Sequence, residues 1–99
     1  MDIKVISSLN DTVNLMRSGD YKDRFIAEYA QTMIRAQKLE LLLIDYRNKT
    51  LDFIPSTDID TLTDQLTYMN RYILILQKRA KIESITLPLI SISELKSEV

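Results

Sequence analysis

A regular alternation of apolar and polar positions marks the second half of the chain. Apolar residues recur there at alternating intervals of four and three residues, at Leu62, Leu66, Met69, Ile73, Leu76 and Ala80. This heptad-like spacing places them on one side of an α-helix and predicts a helix over residues 59–85. Thr57 or Asp58 can cap its first turn, and Pro88 disfavours continuation of the helix past Leu87.

A second helix is predicted over residues 21–47. Its apolar positions form two neighbouring stripes: Ile26, Tyr29, Met33, Ala36 and Leu43 in one, and Leu39, Leu42 and Tyr46 in the other. Asp20 is a suitable N-cap, and Asp23 adds negative charge in the first turn, where the helix dipole favours it. The linker that follows contains Pro55, which disfavours helical geometry at Ile54.

The two ends of the chain carry weaker patterns. Ile6, Leu9, Val13 and Met16 fit one stripe of a helix over residues 3–17. Gly19 is expected to end this helix in the left-handed conformation. After Pro88 the tail is rich in Ile, Leu, Ser and Thr, which leaves three alternatives open: an extended arm, a short strand, or a last helical turn that begins at Ser93.

These elements predict one all-α domain over residues 1–99. It comprises a short N-terminal helix within 1–18, a long antiparallel helical hairpin over 20–85 and an apolar C-terminal tail over 86–99. A two-helix contact leaves apolar side chains uncovered, namely Ile34, Leu41, Leu42, Ile44, Ile75, Leu87, Leu89 and Ile90. Large exposed apolar patches usually mark an interface, so we predict a homo-oligomer. In the alternative, the N-terminal helix and the tail cover these residues and the protein is a monomer.

Composition narrows the possible functions. The chain has 13 Lys and Arg against 14 Asp and Glu, and a formal net charge of −1 argues against binding to long nucleic acid. It has no Cys, no His and a single Gly, so thiol nucleophiles, imidazole bases, zinc-finger ligands and Gly-rich phosphate loops are excluded. We therefore expect no enzymatic activity, no metal and no cofactor. Asp58, Asp60 and Asp64 surround a predicted helix start, where capping and the helix dipole account for them.

The apolar runs of the sequence are too short to cross a bilayer, and its first residues do not resemble a signal peptide. We therefore expect no membrane association and a location in the cytoplasm.

Polar residues follow a regular spacing on both long helices. Arg24, Glu28, Gln31 and Arg35 share one face of the first, and Gln65, Tyr72, Arg79 and Glu83 run beside the apolar stripe of the second. In one interpretation, Arg24–Glu28 and Arg79–Glu83 are exposed ion pairs, each contributing only about 0.3–0.5 kcal/mol. In the other, arginines bind the phosphates of a small ligand and tyrosines stack on its rings. The predicted ligand-binding residues are Arg24, Arg35, Arg79, Tyr21, Tyr29, Tyr72, Gln31 and Gln65.

Three separate blocks of the sequence each match part of one longer sequence pattern. Residues 21–39 fit Y-K-x-R-x-x-x-E-Y-x-Q-x-x-x-R-x-x-K-L, residues 50–55 fit T-L-D-F-x-P, and residues 62–85 fit L-x-x-Q-x-x-x-M-x-x-Y-x-x-I-L-x-x-R-A-x-I-E-x-I. Over residues 21–87 the chain thus resembles an uncharacterised family of short phage-encoded helical proteins, the crAss-like-phage-related hypothetical proteins. The family often has Cys-Pro before its last helix, whereas this chain has Thr57-Asp58-Ile59. The resemblance implies a phage or prophage origin and action in the cytoplasm of the host bacterium.

The predicted architecture also resembles that of phage counter-defence sponges. Those are oligomers of helical hairpins that sequester the cyclic nucleotides made by anti-phage systems such as CBASS and Thoeris. The leading hypothesis is therefore a non-catalytic counter-defence protein that sequesters a small phosphorylated ligand, such as a cyclic nucleotide immune signal, in pockets of a helical oligomer. Two alternatives stay open: an inhibitor or adaptor that binds a host defence protein, and a small virion assembly protein.

Overall fold

Two long helices dominate the computed structural model, which describes residues 4–92 of the chain. An irregular connection joins the two helices. One two-residue strand precedes the helices in the chain, another follows them, and the two strands pair with each other. In chain order the elements are β1 (Val5–Ile6), a 3-10 helix (Leu9–Thr12), α1 (Val13–Met16), α2 (Tyr21–Arg47), α3 (Ile59–Ile82) and β2 (Leu89–Ile90). The predicted helical fold is thus confirmed. Ser93, where a last helical turn was one alternative, lies outside the described residues.

Both long helices begin at an aspartate cap. α2 spans Tyr21–Arg47, the predicted bounds, and the Asp20 carboxylate accepts a hydrogen bond from the Lys22 amide at 2.9 Å. α3 begins after the second of its two predicted caps, Asp58, whose carboxylate accepts from the Thr61 amide at 3.0 Å. The hydrogen bonds from Thr61 stabilise the charged carboxylate and hold the pKa of Asp58 below its ordinary value. Capping therefore accounts for Asp58.

Both long helices end in a Schellman motif whose left-handed residue is not glycine. Lys49 has a φ of 61° after α2, and Ser84 has a φ of 57° after α3. The Thr50 amide then donates to the Asp45 carbonyl at 2.9 Å, and an equivalent bond of 2.8 Å ends α3. Residues with a Cβ atom adopt this backbone at a cost of about 1–2 kcal/mol. This ending stops α3 at residue 82, three residues before the predicted position.

The core lies between α2 and α3. The predicted apolar stripe of α3 is confirmed, since Leu62, Ile73, Leu76 and Ala80 are buried and Leu66 and Met69 pack against the same clusters. Leu62, in the first turn of α3, packs with residues 39, 42 and 43 near the end of α2. Ala80, in the last turn of α3, packs with Phe25 near the beginning of α2. The two helices therefore form a hairpin-like pair, and each buried leucine contributes about 1.5–3 kcal/mol.

The N-terminal segment differs from its prediction. A single helix over residues 3–17 is wrong, because residues 5–6 form β1 and helical structure begins only at Leu9. The buried residue of α1 is Leu15, whereas the predicted Val13 and Met16 are 36% and 49% exposed. Gly19 does not have a positive φ, so its predicted left-handed conformation is also wrong.

Pairing with the tail explains the extended start of this segment. β1 and β2 run parallel, with Val5 opposite Leu89 and Ile6 opposite Ile90. The Ser91 amide donates to the Ile6 carbonyl at 2.9 Å. Val and Ile are β-branched and favour extended backbone when a partner strand is present. Of the alternatives for the tail, the short strand is confirmed.

Two of the apolar residues predicted to be spare are fully covered. Ile34 packs with Ile6 and Leu15 of the N-terminal segment, and Leu42 packs with Leu62 of α3. Their relative exposure is 0% in both cases, so the prediction for these two was wrong. Leu41, Ile44, Leu87 and Ile90 are partly buried. Ile75 and Leu89 remain 55% and 58% exposed, as predicted.

Candidate functional site

One flank of α3 carries exposed or half-buried aromatic, aliphatic and polar side chains at helical spacing. We call it the α3 face; its members are Gln65, Tyr68, Tyr72, Ile75 and Arg79. Each immediately precedes a residue of the buried stripe, so the α3 face is rotated from that stripe by about 100°. Tyr68 is 67% exposed and Ile75 is 55% exposed. Such a surface has apolar area and hydrogen-bonding groups side by side.

At one end of the hairpin, three polar side chains join α2 to the α3 face. Arg79 Nη2 donates to the Tyr21 hydroxyl at 2.7 Å, and that hydroxyl donates to Glu83 Oε1 at 2.8 Å. Arg79 Nε also donates to Glu83 Oε2 at 3.3 Å. The Arg79 guanidinium lies 5.0 Å from the centroid of the Phe25 ring, a cation–π distance. The predicted Arg79–Glu83 ion pair therefore exists, and it also holds a tyrosine of α2.

This arrangement shifts the titration of Tyr21. The hydrogen bond to Glu83 raises the pKa of Tyr21 above its ordinary value, and partial desolvation acts in the same direction, against the opposing charge of Arg79. Loss of the phenol proton would place a second negative charge beside Glu83. The network therefore needs the neutral phenol.

We expect the stabilising effect of Tyr21 to disappear in alkaline solution. Because its pKa is raised on folding, the contribution is present below the unfolded-state value of 10.0 and is lost as the pH rises through the folded-state value. Urea unfolding followed by circular dichroism should show the wild type more stable than Tyr21→Phe at neutral pH. The difference in unfolding free energy between the two proteins should narrow as the pH rises through the folded-state pKa of Tyr21. A gap that stays constant into the alkaline range would contradict this assignment.

We call the surface where α2 and α3 meet on this side of the hairpin the groove. Tyr21, Glu28 and Arg35 are seven residues apart and share one face of α2. Because Tyr21 contacts Arg79, this face of α2 and the α3 face lie on the same side. We define the groove by Tyr21, Glu28 and Arg35 on α2 and Gln65, Tyr72 and Arg79 on α3. Five of the predicted ligand-binding residues therefore belong to this surface: Tyr21, Arg35, Gln65, Tyr72 and Arg79.

Arg35 is the exposed cation of the groove. It lies on α2 between Tyr21 and the residues that pack on the first turn of α3, so it is level with the middle of α3. Within residues 4–92, no hydrogen bond or ion pair engages its guanidinium. Tyr72, on the same side of the hairpin, is 40% exposed. An arginine with no polar partner in that range and a tyrosine ring on the same side provide a charge and a flat surface.

The other three predicted ligand-binding residues have structural contacts instead. Arg24 Nη1 donates to the Ser18 carbonyl at 2.8 Å, just after α1. Gln31 Nε2 donates to the hydroxyl of the buried Thr12 at 2.9 Å and lies 3.6 Å from the Met16 sulfur. Both side chains attach the N-terminal segment to α2. Tyr29 is only 6% exposed, so its ring packs in the core and does not reach the groove.

Phe25 and Arg71, which contact the rings and guanidinium of this surface, were not among the predicted site residues, nor were its members Glu28, Tyr68 and Ile75. Phe25 supports the Arg79 guanidinium and packs 6.2 Å from the Tyr21 ring, centroid to centroid. The Arg71 guanidinium lies 6.0 Å from the Tyr68 ring centroid. The signal was present in the sequence for the first, because Tyr21 and Phe25 are four residues apart and neighbours on a helix.

No group of three or more Asp, Glu, His or Cys residues within 4–92 is arranged to hold a metal ion. None of the helices in that range has the length and hydropathy needed to cross a membrane.

Comparison with known protein families relates this chain to one of them over the two long helices. The model of a family described as Sequestin matches residues 19–82. The matched range contains α2, the connection and α3, and so contains every groove residue. No curated protein and no solved structure matches the chain. The crAss-like resemblance over residues 21–87 covers nearly the same segment and stays a prediction.

Proposed function

Because the chain belongs to the Sequestin family, whose name denotes sequestration, we propose that it is a non-catalytic phage counter-defence protein. In this proposal it binds and holds a small phosphorylated ligand, a cyclic nucleotide immune signal, in the cytoplasm of the host bacterium. The observation that carries the proposal is the groove, where exposed aromatic side chains and an arginine without a polar partner in the described range lie within the family match.

The groove residues have complementary roles in the proposed site. The guanidinium of Arg35 has no hydrogen-bond partner among residues 4–92 and can bind a phosphate in bidentate fashion. Arg79 is fixed by Tyr21 and Glu83, and its remaining N–H groups extend the cationic surface. The Tyr72 ring can stack on a base, and Gln65 offers both a donor and an acceptor to base edges. Glu28 and Glu83 favour a ligand whose anionic groups stay near the arginines.

Pockets between protomers are the second part of the proposal. The isolated groove is open, whereas small-ligand sites usually bury most of the ligand surface. The α3 face exposes Tyr68 and Ile75, and the adjacent Ile82 is 72% exposed. Apolar side chains grouped in this way favour association of like chains. We propose that antiparallel hairpins associate through the α3 face and thereby enclose the groove.

Calorimetric titration of the purified protein tests ligand binding. The probes are cyclic dinucleotides, cyclic trinucleotides and the isomers of cyclic ADP-ribose. A sponge acts by mass action, so one probe should bind tightly and elute chemically intact after denaturation of the protein. Absence of binding by every probe would overturn the proposed ligand class, and conversion of the bound probe would overturn a non-catalytic role.

We expect Ile75→Asp to convert the oligomer into a monomer that keeps its helical content. A charge placed in the centre of an apolar interface is desolvated without a partner, which disfavours association. Light scattering coupled to size-exclusion chromatography measures the mass directly. Leu74→Asp is the matched control, because Leu74 is 64% exposed on a different flank of α3. A monomeric wild type, or an oligomer that survives Ile75→Asp, would contradict the proposed interface.

A further inference from the structure

The connection between α2 and α3 lines a second concave surface, at the end of the hairpin opposite Tyr21 and Arg79. This cavity of about 510 Å³ is formed by the last turn of α2 and the segment after it. We call it the loop cleft. Its volume lies within the range of small-molecule sites. No residue of the groove lines it, so it is independent of the function proposed above.

Aromatic and aliphatic side chains form the walls of the loop cleft. Tyr46 and Phe53 line it and are 47% and 45% exposed, and Ile54, also in the lining, is 93% exposed. Pro55 completes this wall and fixes the local backbone. Both aromatic rings are about half-exposed and line the same cavity, so their flat faces are available to the ring of a ligand.

The charged side chains that line the loop cleft are both cationic. They are Arg47 and Lys49, and both are exposed. A smaller cavity of about 330 Å³ adjoins it, shares Tyr46, Ile54 and Pro55 with it, and is also lined by Asp58 and Asp60. An anionic group is therefore favoured on the side of Arg47 and Lys49 and disfavoured on the side of the carboxylates.

The end of α2 does not cancel this positive charge. Helix C-termini carry partial negative charge on their unpaired carbonyls. Here the Lys49 amide donates to the Tyr46 carbonyl at 3.1 Å, and the Thr50 amide donates to the Asp45 carbonyl at 2.9 Å. Lys49 also occupies a left-handed backbone position that glycine adopts more easily. The end of α2 therefore gives no reason for a lysine at position 49, whereas a cationic cleft does.

We propose that the loop cleft binds a small aromatic anion. The ring packs against Tyr46 and Phe53, and the anionic group is bound by Arg47 and Lys49. An arginine and a lysine together suit carboxylate, sulfonate or phosphate groups, and the aromatic wall selects for a planar ring.

Three matched probes separate the contributions of ring and charge. The full chain is titrated with naphthalene sulfonate, with naphthyl alcohol and with inorganic sulfate, and backbone amide shifts are followed by NMR. Naphthalene sulfonate should shift the amides of residues 46–54 and bind about tenfold more tightly than either other probe. Equal affinity for the alcohol or for sulfate would overturn the requirement for both parts. Failure of all three to bind, or shifts centred on Tyr68, Tyr72 and Ile75, would overturn the site.

Two variants test the residues of the loop cleft. Phe53→Ala and Lys49→Gly should each weaken naphthalene sulfonate binding about tenfold. Lys49→Gly removes the charge and suits the left-handed backbone, so misfolding does not explain its effect. Lys81→Ala, which removes the same charge from an exposed position on α3, should bind normally. Undiminished affinity in both cleft variants would overturn the proposal. Loss of cyclic nucleotide binding in groove variants, with this titration unchanged, keeps the two proposals distinguishable.

Discussion

Replacing Arg35 and Arg79 together by alanine should weaken cyclic nucleotide binding at least about a hundredfold. A hydrogen bond to a charged group contributes about 1.5–3 kcal/mol, and about 1.4 kcal/mol corresponds to a tenfold change in affinity. Each arginine therefore accounts for at least about a factor of ten. Calorimetric titration with the tightest-binding cyclic nucleotide measures the loss.

The two arginines need separate controls because their surroundings differ. Arg35 is exposed and has no polar contact within residues 4–92, so Arg35→Ala should leave the fold intact. Arg79 bridges Tyr21 and Glu83, so its variant also removes contacts between the helices. Binding by Arg79→Ala is therefore compared with that of Tyr21→Phe, which disturbs the same network but keeps both arginines.

Removal of a positive charge outside the groove should not weaken cyclic nucleotide binding. Lys81→Ala changes the net charge as Arg35→Ala does, but Lys81 lies outside the groove and the α3 face. Its affinity should equal that of the wild type. Wild-type affinity in the double arginine variant would exclude the groove as the ligand site.

Leu76→Ala should lower the free energy of unfolding by about 2–5 kcal/mol. Leu76 is 0% exposed in the core between α2 and α3, so its truncation loses apolar burial and leaves a cavity. For a small domain this is a large part of the total stability. Urea unfolding followed by helical circular dichroism measures the change.

The same helix supplies a matched control for this core variant. Leu74→Ala makes the same chemical change two residues earlier, where the side chain is 64% exposed. Helix propensity changes equally in both variants, so the difference between them isolates burial. Similar destabilisation by the two variants would mean that Leu76 does not lie in a packed core.

The elements predicted best are those whose signals are local. The bounds of α2 follow from Asp20 and from a periodic apolar pattern, and α3 starts after Asp58 for the same reason. The N-terminal segment was predicted poorly because its conformation depends on β2, far along the chain. No local pattern contains that information.

The candidate site was predicted in part for a similar reason. Helical spacing placed Arg24, Gln31 and Arg35 on one side of α2. Which of them is hydrogen-bonded depends on the N-terminal segment, which engages Arg24 and Gln31, whereas Arg35 has no such contact within residues 4–92. The meeting of Tyr21 with Arg79 follows from the way α2 and α3 pack, a property of the hairpin as a whole.

The pairing of β1 with β2 has a consequence for the order of folding. In an unfolded chain, bringing Ile6 to Ile90 closes a loop of roughly 80 residues. Once α2 and α3 are packed, Tyr21 already lies beside Glu83, and the segments still to be closed total roughly 20 residues. Shortening the loop from roughly 80 to roughly 20 residues halves its length twice and lowers the entropic cost of closing it by about 1.2 kcal/mol. Contact order therefore favours formation of the helical pair first, after which the two segments that contain β1 and β2 pack on it and pair.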